Sequence, residues 1–299
     1  MLHILRIIWI AWLGWFFAAG VSFAWEYQGS ARMLTNDFFA DRKDRWRSGS
    51  YQAGFLWTAP TTARWVPEFL EFRLGAQVIT PANLQNPEPD DRPLAGAIAL
   101  GVHGHWEANG LDQSLGLDLV GIGPSTGLDD LLKAIHPKDQ EPSKSVIADQ
   151  IGDTLRPTLS FAVGRELPLR AVTFYPFVQG QLGAETLLRA GADVFWGPGW
   201  ASAFPIRDEV TGFAMPWGRW DRSGLGIVLG ADAAFVSDSV YLPSSRDYDL
   251  TEARLRARAG AVWRTKNVSL FYGATWLGEE FDAQPSPQVV GSINLSIRF

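Results

Sequence analysis

Apolar and polar side chains alternate along most of this chain. In 67–79, Leu70, Phe72, Leu74, Ala76 and Val78 oppose Glu71, Arg73 and Gln77, and in 97–107, Ile98, Leu100, Val102 and Trp106 oppose His103, His105 and Glu107. The same pattern recurs around Leu115 to Leu119, Leu159 to Val163, Val172 to Leu182, Leu225 to Phe235, Leu255 to Trp263 and Val268 to Trp276. It is strictest at the end, where Val289, Gly291, Ile293, Leu295, Ile297 and Phe299 face away from Gln288, Ser292, Asn294, Ser296 and Arg298. A period of two is the mark of a strand with one apolar and one wet face. With further segments near 32–40, 50–58 and 186–196, the pattern predicts an all-β fold of about twelve strands, each of a length that crosses a bilayer when tilted. An even number lets the antiparallel sheet close on itself without an exposed edge. A soluble sandwich would alternate equally well; the aromatic closing strand and an export-like N-terminus favour an antiparallel transmembrane β-barrel.

The connections divide into short and long. Glu166-Leu167-Pro168-Leu169 and Lys266-Asn267 read as tight turns, whereas 81–94, 122–156, 197–223 and 237–252 are long. Tight turns are expected at the periplasmic end and long loops outside. One helix is predicted, over 128–136: Leu128, Leu131, Leu132 and Ile135 recur at helical spacing, and Pro137 stops the run. It carries His136 at its C-terminal end.

Residues 1–24 hold Arg6, an apolar run from Ile7 to Ala19, and small residues at Ser22 and Ala24, the pattern of a signal peptide cleaved after Ala24; an uncleaved anchor is the alternative. The expected division is therefore 1–24 as signal peptide and 25–299 as the barrel. Beyond Ala24 no apolar run is long enough for a membrane-spanning helix. Fourteen Trp and eighteen Phe suit aromatic girdles at the two membrane interfaces. The formal charge of −6 becomes −7 once Arg6 is removed, which argues against nucleic acid as a partner. Absence of cysteine excludes disulfides, thiolate catalysis and zinc–thiolate sites.

Read without further context, the polar candidates have ordinary roles. His136 caps a helix end that favours a cation, and Asn36-Asp37 reads as a strand-end turn. His103, His105 and Glu107 line a wet lumen. Arg254, Arg256 and Arg258 share one strand face and are expected to pair with lumenal acids such as Glu71 and Asp232, because unpaired charges in a narrow barrel are costly. Asp91-Arg92 reads as an ion pair within a loop.

Several of these residues recur in an order that resembles a known family. Thr35-Asn36-Asp37, Asp44-Arg45 and Tyr51-Gln52-Ala53-Gly54-Phe55 are followed by Ile79-Thr80-Pro81 and Asp91-Arg92-Pro93-Leu94-Ala95-Gly96. Then come Val120-Gly121-Ile122-Gly123-Pro124, Ile135-His136 and Asp149-Gln150-Ile151. Together, over nearly the whole mature chain, they resemble the LpxR-type lipid A 3′-O-deacylases. The resemblance implies a twelve-stranded outer-membrane barrel, working as a monomer, that hydrolyses the 3′-acyloxyacyl ester of lipid A with calcium. It puts the essential histidine on His136 and the Asn-Asp pair, as catalytic residues and metal ligands, on Asn36 and Asp37.

Such a trio suffices in kind for ester hydrolysis: an imidazole deprotonates water while a hard cation on carboxylate and amide oxygens polarises the carbonyl. The sequence departs from the family at three places. A threonine beside the site falls on Gln52, the expected substrate-binding position, a glutamine one turn before the histidine is Leu132, and a glutamate six residues after it meets Pro142, with Asp139 and Glu141 as neighbouring substitutes. Asn36 and Asp37 would point to opposite faces of an ideal strand, so one of them must act through a bulge or at the rim. A non-catalytic barrel, either a pore or an inactive family member, is the rival expectation. Ser/His/acid catalysis is weaker, since Ser125 and Ser244 lack partners at a recognisable spacing.

Overall fold

The computed structural model describes residues 25–59, 66–138, 140–200, 205–215, 217, 222–246 and 248–297. The expected signal peptide, Asp139 and the terminal Arg298-Phe299 fall outside them. The strands are β1 Glu26–Asn36, β2 Trp46–Thr58, β3 Phe69–Thr80, β4 Ala95–Ala108, β5 Leu111–Ile122, β6 Thr154–Gly164, β7 Leu167–Leu169, β8 Val172–Leu182, β9 Glu185–Trp196, β10 Gly224–Ser239, β11 Arg254–Arg264, β12 Val268–Leu277 and β13 Gln288–Ile297. Twelve of them form a closed antiparallel barrel. Sequential neighbours pair throughout, β6 pairs with β8, and β1 pairs with β13. The short β7 extends the turn before β8, pairing Leu167 with Phe174. Residues 165–171 are thus a small hairpin extension rather than a plain tight turn.

The alternation in the sequence is the alternation of the wall. Leu34, Leu100, Leu117, Leu188, Leu229 and Leu295 are exposed on its outer surface, while Glu71, His103, Asp193, Asp232 and Arg258 are buried inside. Tyr27 and Trp57 stack at 5.2 Å at the end that carries both chain termini, where Trp196 and Trp263 are also exposed outward. This is the placement expected of an interfacial aromatic girdle.

β1 begins and β13 ends at one end of the barrel, the end that also carries the short turns expected on the periplasmic side, and that fixes the side of every connection. The segment 197–223, expected outside, joins the bottoms of β9 and β10, while the tight turn at 183–184 is at the top. Within it, 205–215 folds back as a small hairpin, with Arg207 bridged to Ala214 and Met215 N–H donating to the Ile206 carbonyl at 2.7 Å. Gly212 makes its turn at φ 73°, and a Cβ there would come within 2.7 Å of Arg256 and 2.8 Å of Arg258. Ile206, Phe213, Met215 and Trp217 pack with Met33, Leu56, Val228, Val262 and Phe271 as an apolar layer across the barrel. The hairpin is therefore a plug inside the lumen.

Above that layer the lumen is a stack of ion pairs. Asp232 receives Arg189, Arg256 and Arg258, and Asp193 receives Arg207 and Arg258. Arg254 pairs with Glu185 at 2.6 Å. Glu71, expected to serve this arginine row, instead pairs with Arg73, two residues on along the same face of β3, at 2.8 Å, and with His105 of the neighbouring β4 at 2.9 Å. His103 meets Asp118 at 3.0 Å, the wet-lumen role expected of it. The Asp91-Arg92 pair does not form: Asp91 sits at a bend and is taken up by the Trp46 indole N–H at 3.3 Å and the Arg92 backbone N–H at 2.8 Å, while the Arg92 guanidinium reaches Glu280 at 2.7 Å.

The long loop after β5 carries α1, Leu128–Ile135, one residue shorter than expected because His136 has already turned to extended backbone. A second short helix, α2 at Lys144–Ala148, was not expected; Ser143 caps it, accepting from Val146 N–H at 3.4 Å. Its five residues are too few to show a helical period in the sequence.

Candidate active site

The site is built where β1 ends. Thr35 faces inward, its hydroxyl 2.8 Å from Ser292 of β13, so Asn36 faces outward beside Leu34, which is exposed on the lipid side. The strand then stops. The Asn36 side chain accepts Phe38 N–H at 2.8 Å and starts a turn of 3-10 helix over Asp37–Phe39. This resolves the conflict between adjacent Asn36 and Asp37: the second is not on the strand but at the rim.

The turn folds over the outer wall. Tyr272, exposed on the lipid side of β12, donates its hydroxyl to the Phe39 carbonyl at 2.9 Å. Phe39 lies so close to Gly291 of β13 that a Cβ there would come within 2.6 Å of its side chain and 2.8 Å of its backbone. Gly291→Ala is thus expected to lift the 37–39 turn from the wall without touching the lumen. A folded barrel with lowered activity is the predicted outcome, read by gel mobility before and after heating alongside an acyl-release assay. Unaltered activity would show that the turn's seat is immaterial.

Asp37 is 1 % exposed, and its carboxylate accepts Arg45 N–H at 2.7 Å. Burial, then the carboxylates of Asp44 and Asp41, push its pKa up to about 7 against the opposing pull of that N–H. Asp41 pairs with Arg45 at 3.4 Å. The loop holds three non-glycine residues in left-handed backbone: Arg42 at φ 59°, Asp44 at 44° and Trp46 at 52°. Such conformations persist only where surrounding contacts over-determine them, and they gather at functional sites.

His136 arrives from α1. Leu128 sits against Gly96, whose outward neighbours further down β4 are Ile98 and Leu100, so the helix is docked on the outside of the barrel. Leu132, which replaces the family glutamine, is buried with Leu84, Leu94 and Val146 and anchors the helix by packing. Its carbonyl lies 2.7 Å from His136 Nδ1, which makes Nδ1 the protonated nitrogen and leaves Nε2 to do chemistry. Nε2 contacts Asp44, whose other oxygen accepts from Ser48. Burial works against the imidazolium, but the Leu132 carbonyl and the Asp44 and Asp37 carboxylates outweigh it, so the His136 pKa is raised.

His136 and Asp37 thus belong to one cluster at the rim, His136 in contact with Asp44 and both within electrostatic reach of Asp37. Asp44 and Ser48 complete it. Sequence reasoning quoted Asp44 only as part of a motif and passed over Ser48. Gln52 is elsewhere: it lies in the lumen, donating to the Arg207 carbonyl at 2.9 Å and accepting Glu209 N–H at 3.0 Å, and so holds the plug. Glu141 offers its backbone carbonyl to Gln85.

Among the described residues no three His, Asp or Glu side chains are placed to hold a metal by themselves. The donor chemistry nonetheless fits a hard cation. Asp37 is a buried carboxylate whose compensation from the Arg45 and Phe38 N–H groups does not offset burial and two acidic neighbours, the deficit that an oxygen-seeking ion relieves.

Comparison with known proteins bears on the fold and the family. LpxR from Salmonella typhimurium superposes with a TM-score of 0.71 at 18% identity, covering 91% of this chain and all of that one. For the β domain of the Bordetella autotransporter BrkA the score is 0.45 at 11% identity, over 91% and 99% of the two chains. No curated protein matches in sequence. The profile of the family described as outer membrane protein LpxR matches residues 11–299, and the chain, a closed outer-membrane barrel, belongs to that family.

Proposed function

We propose that this protein is an esterase of the outer membrane that removes the 3′-linked acyloxyacyl chain of lipid A. The observation that carries the reading is the position of the His136–Asp44 pair over Asp37, on the outer wall of the barrel rather than in its lumen. An ester there would be reached from the membrane, in the leaflet where lipid A resides. A pore fits less well, because the 205–215 hairpin crosses the lumen with its apolar layer and is tied to Gln52.

The chain's own groups divide the work. The Leu132 carbonyl holds the Nδ1 proton, and His136 in its neutral form, with Nε2 turned from Asp44 to water, takes a proton from that water on Nε2. The resulting imidazolium lies against the Asp44 carboxylate, which stabilises it, while Ser48 holds Asp44 in place. Asp37 and Asn36 would hold calcium. Bound there, calcium would polarise the ester carbonyl and stabilise the oxyanion. No serine or cysteine nucleophile is needed. Residues 1–24 act as a cleaved export signal, and the barrel works as a monomer.

The test is incubation of purified protein with purified lipopolysaccharide, followed by mass spectrometry of lipid A. Loss of the 3′-acyloxyacyl mass is expected; an unchanged acyl pattern overturns the reading in favour of an inert barrel. Excess chelator is expected to stop release, and undiminished release in chelator would remove calcium from the scheme.

A further inference from the structure

The apolar arc of α1 is wider than the surface on which it docks. Leu128 and Leu132 are buried against the barrel, but Leu131 and Ile135, one turn apart on the adjacent flank of the same helix, are 52% and 66% exposed. These values match those of the membrane-facing wall, where Leu100 is 51% and Leu117 59% exposed. The opposite face is charged: Asp129, Asp130 and Lys133 form ion pairs of 3.1 to 3.6 Å among themselves. A helix free in water would gain nothing from two further leucine-sized residues on one side.

The occupant of that flank follows from where the helix is attached. Leu128 packs on Gly96, and the outward row of β4 continues from Gly96 through Ile98 to Leu100, residues that face hydrocarbon in an outer-membrane barrel. The exposed flank is continuous with that row at its extracellular end. We infer that α1 is an interfacial helix of the outer leaflet, with Leu131 and Ile135 immersed among the lipid chains and the Asp129–Asp130–Lys133 face in the headgroup layer. Resting on the function proposed above, this sets His136, the next residue after Ile135, at the boundary between acyl chains and headgroups. That is the depth at which a lipid presents its esters.

The chain contains no cysteine, so single-cysteine labelling is clean. Ile135→Cys, Leu131→Cys and, on the polar face, Asp130→Cys would each carry an environment-sensitive fluorophore. The proteins would be placed in phosphatidylcholine–phosphatidylglycerol vesicles containing phosphatidylcholine with a nitroxide on its acyl chain, with iodide on both sides in a parallel set. Labels at 135 and 131 are expected to be quenched by the nitroxide lipid and about tenfold less accessible to iodide than the label at 130, as burial of a large aliphatic side chain implies. Equal iodide quenching at 135 and 130 in a heat-modifiable, folded barrel overturns the proposal. The readout is independent of catalysis. Immersed labels together with a wild-type protein that leaves lipid A intact would keep the interfacial helix and sink the esterase reading.

Discussion

Replacing His136 by alanine is expected to leave the barrel folded and to lower release of acyl chains from lipopolysaccharide by at least about a hundredfold, the lower end of what a positioned general base contributes. The fold should survive because the imidazole is not part of the anchoring of α1. Leu128 and Leu132 supply that anchoring, and His136 lies past the helix end. The activity should not survive, because the carboxylates that remain, Asp37 and Asp44, are in the proposed scheme the cation's ligand and the imidazolium's partner rather than the base. Asp44 would lose its partner and keep only Ser48 among the described residues. The measurement is single-turnover release of fatty acid by folded protein, with folding judged by mobility on a gel before and after heating. Release at the wild-type rate would exclude His136 as the base.

Asp232→Ala should produce the largest loss of stability among single lumen changes of this kind. Its carboxylate is fully buried and receives three guanidinium groups: Arg189, Arg256 at 2.9 and 3.1 Å, and Arg258. Arg258 retains Asp193, and Arg256 retains the Glu209 and Val210 carbonyls, but the positive charges of Arg189 and Arg256 would be left in the lumen without a carboxylate partner. Breaking a buried ion pair from one side costs about 3–5 kcal/mol. A lower urea midpoint for the folded gel band checks this, and an unmoved midpoint would show that water compensates the arginines. Removing Asp130, whose bond to Lys133 is at the surface, should leave the midpoint where it was.

What could be read in the sequence was whatever depends on local side-chain geometry. A strand's alternation records which face meets lipid, so the barrel, its strand number and the pairing of Leu34 to Asn36 with the closing strand were all legible. The side of each connection was legible too, although loop length pointed the wrong way. With an even number of strands and the termini together, the connection at 197–223 has to be periplasmic, and parity is the stronger argument.

Ion-pair partners were legible only in part: Arg256 and Arg258 do meet Asp232 as expected, whereas other pairs depend on which groups crowd together in three dimensions. Glu71 and Arg73 share one face of one strand, and Arg92 crosses to Glu280 on a loop 188 residues later. Of the candidate site, the rim placement of His136 and Asp37 was legible, but the contact of Ser48 with Asp44 was not. Between Trp46 and Gly49 the pairing of β2 with β3 slips by a bulge, and that slip sets Arg47 toward Glu280 and Ser48 toward Asp44. A bulge leaves no periodic trace, so motif spacing alone led to Gln52.

The seam between β1 and β13 also has a meaning in time. The loop holding Asp37 and Asp44 leans on the last strand to be made: Asp41 accepts Val289 N–H at 3.4 Å, Arg45 reaches Ser286 at 3.2 Å and the Pro287 carbonyl at 3.3 Å, and Phe39 rests on Gly291. The chain carries His136 long before it carries that support. A catalytic centre framed in this way is completed by ring closure, so an exported, unfolded chain has all its chemical groups and no site. On the proposed function, catalytic competence and arrival in the outer membrane become one event, and lipid A met on the way there would be spared.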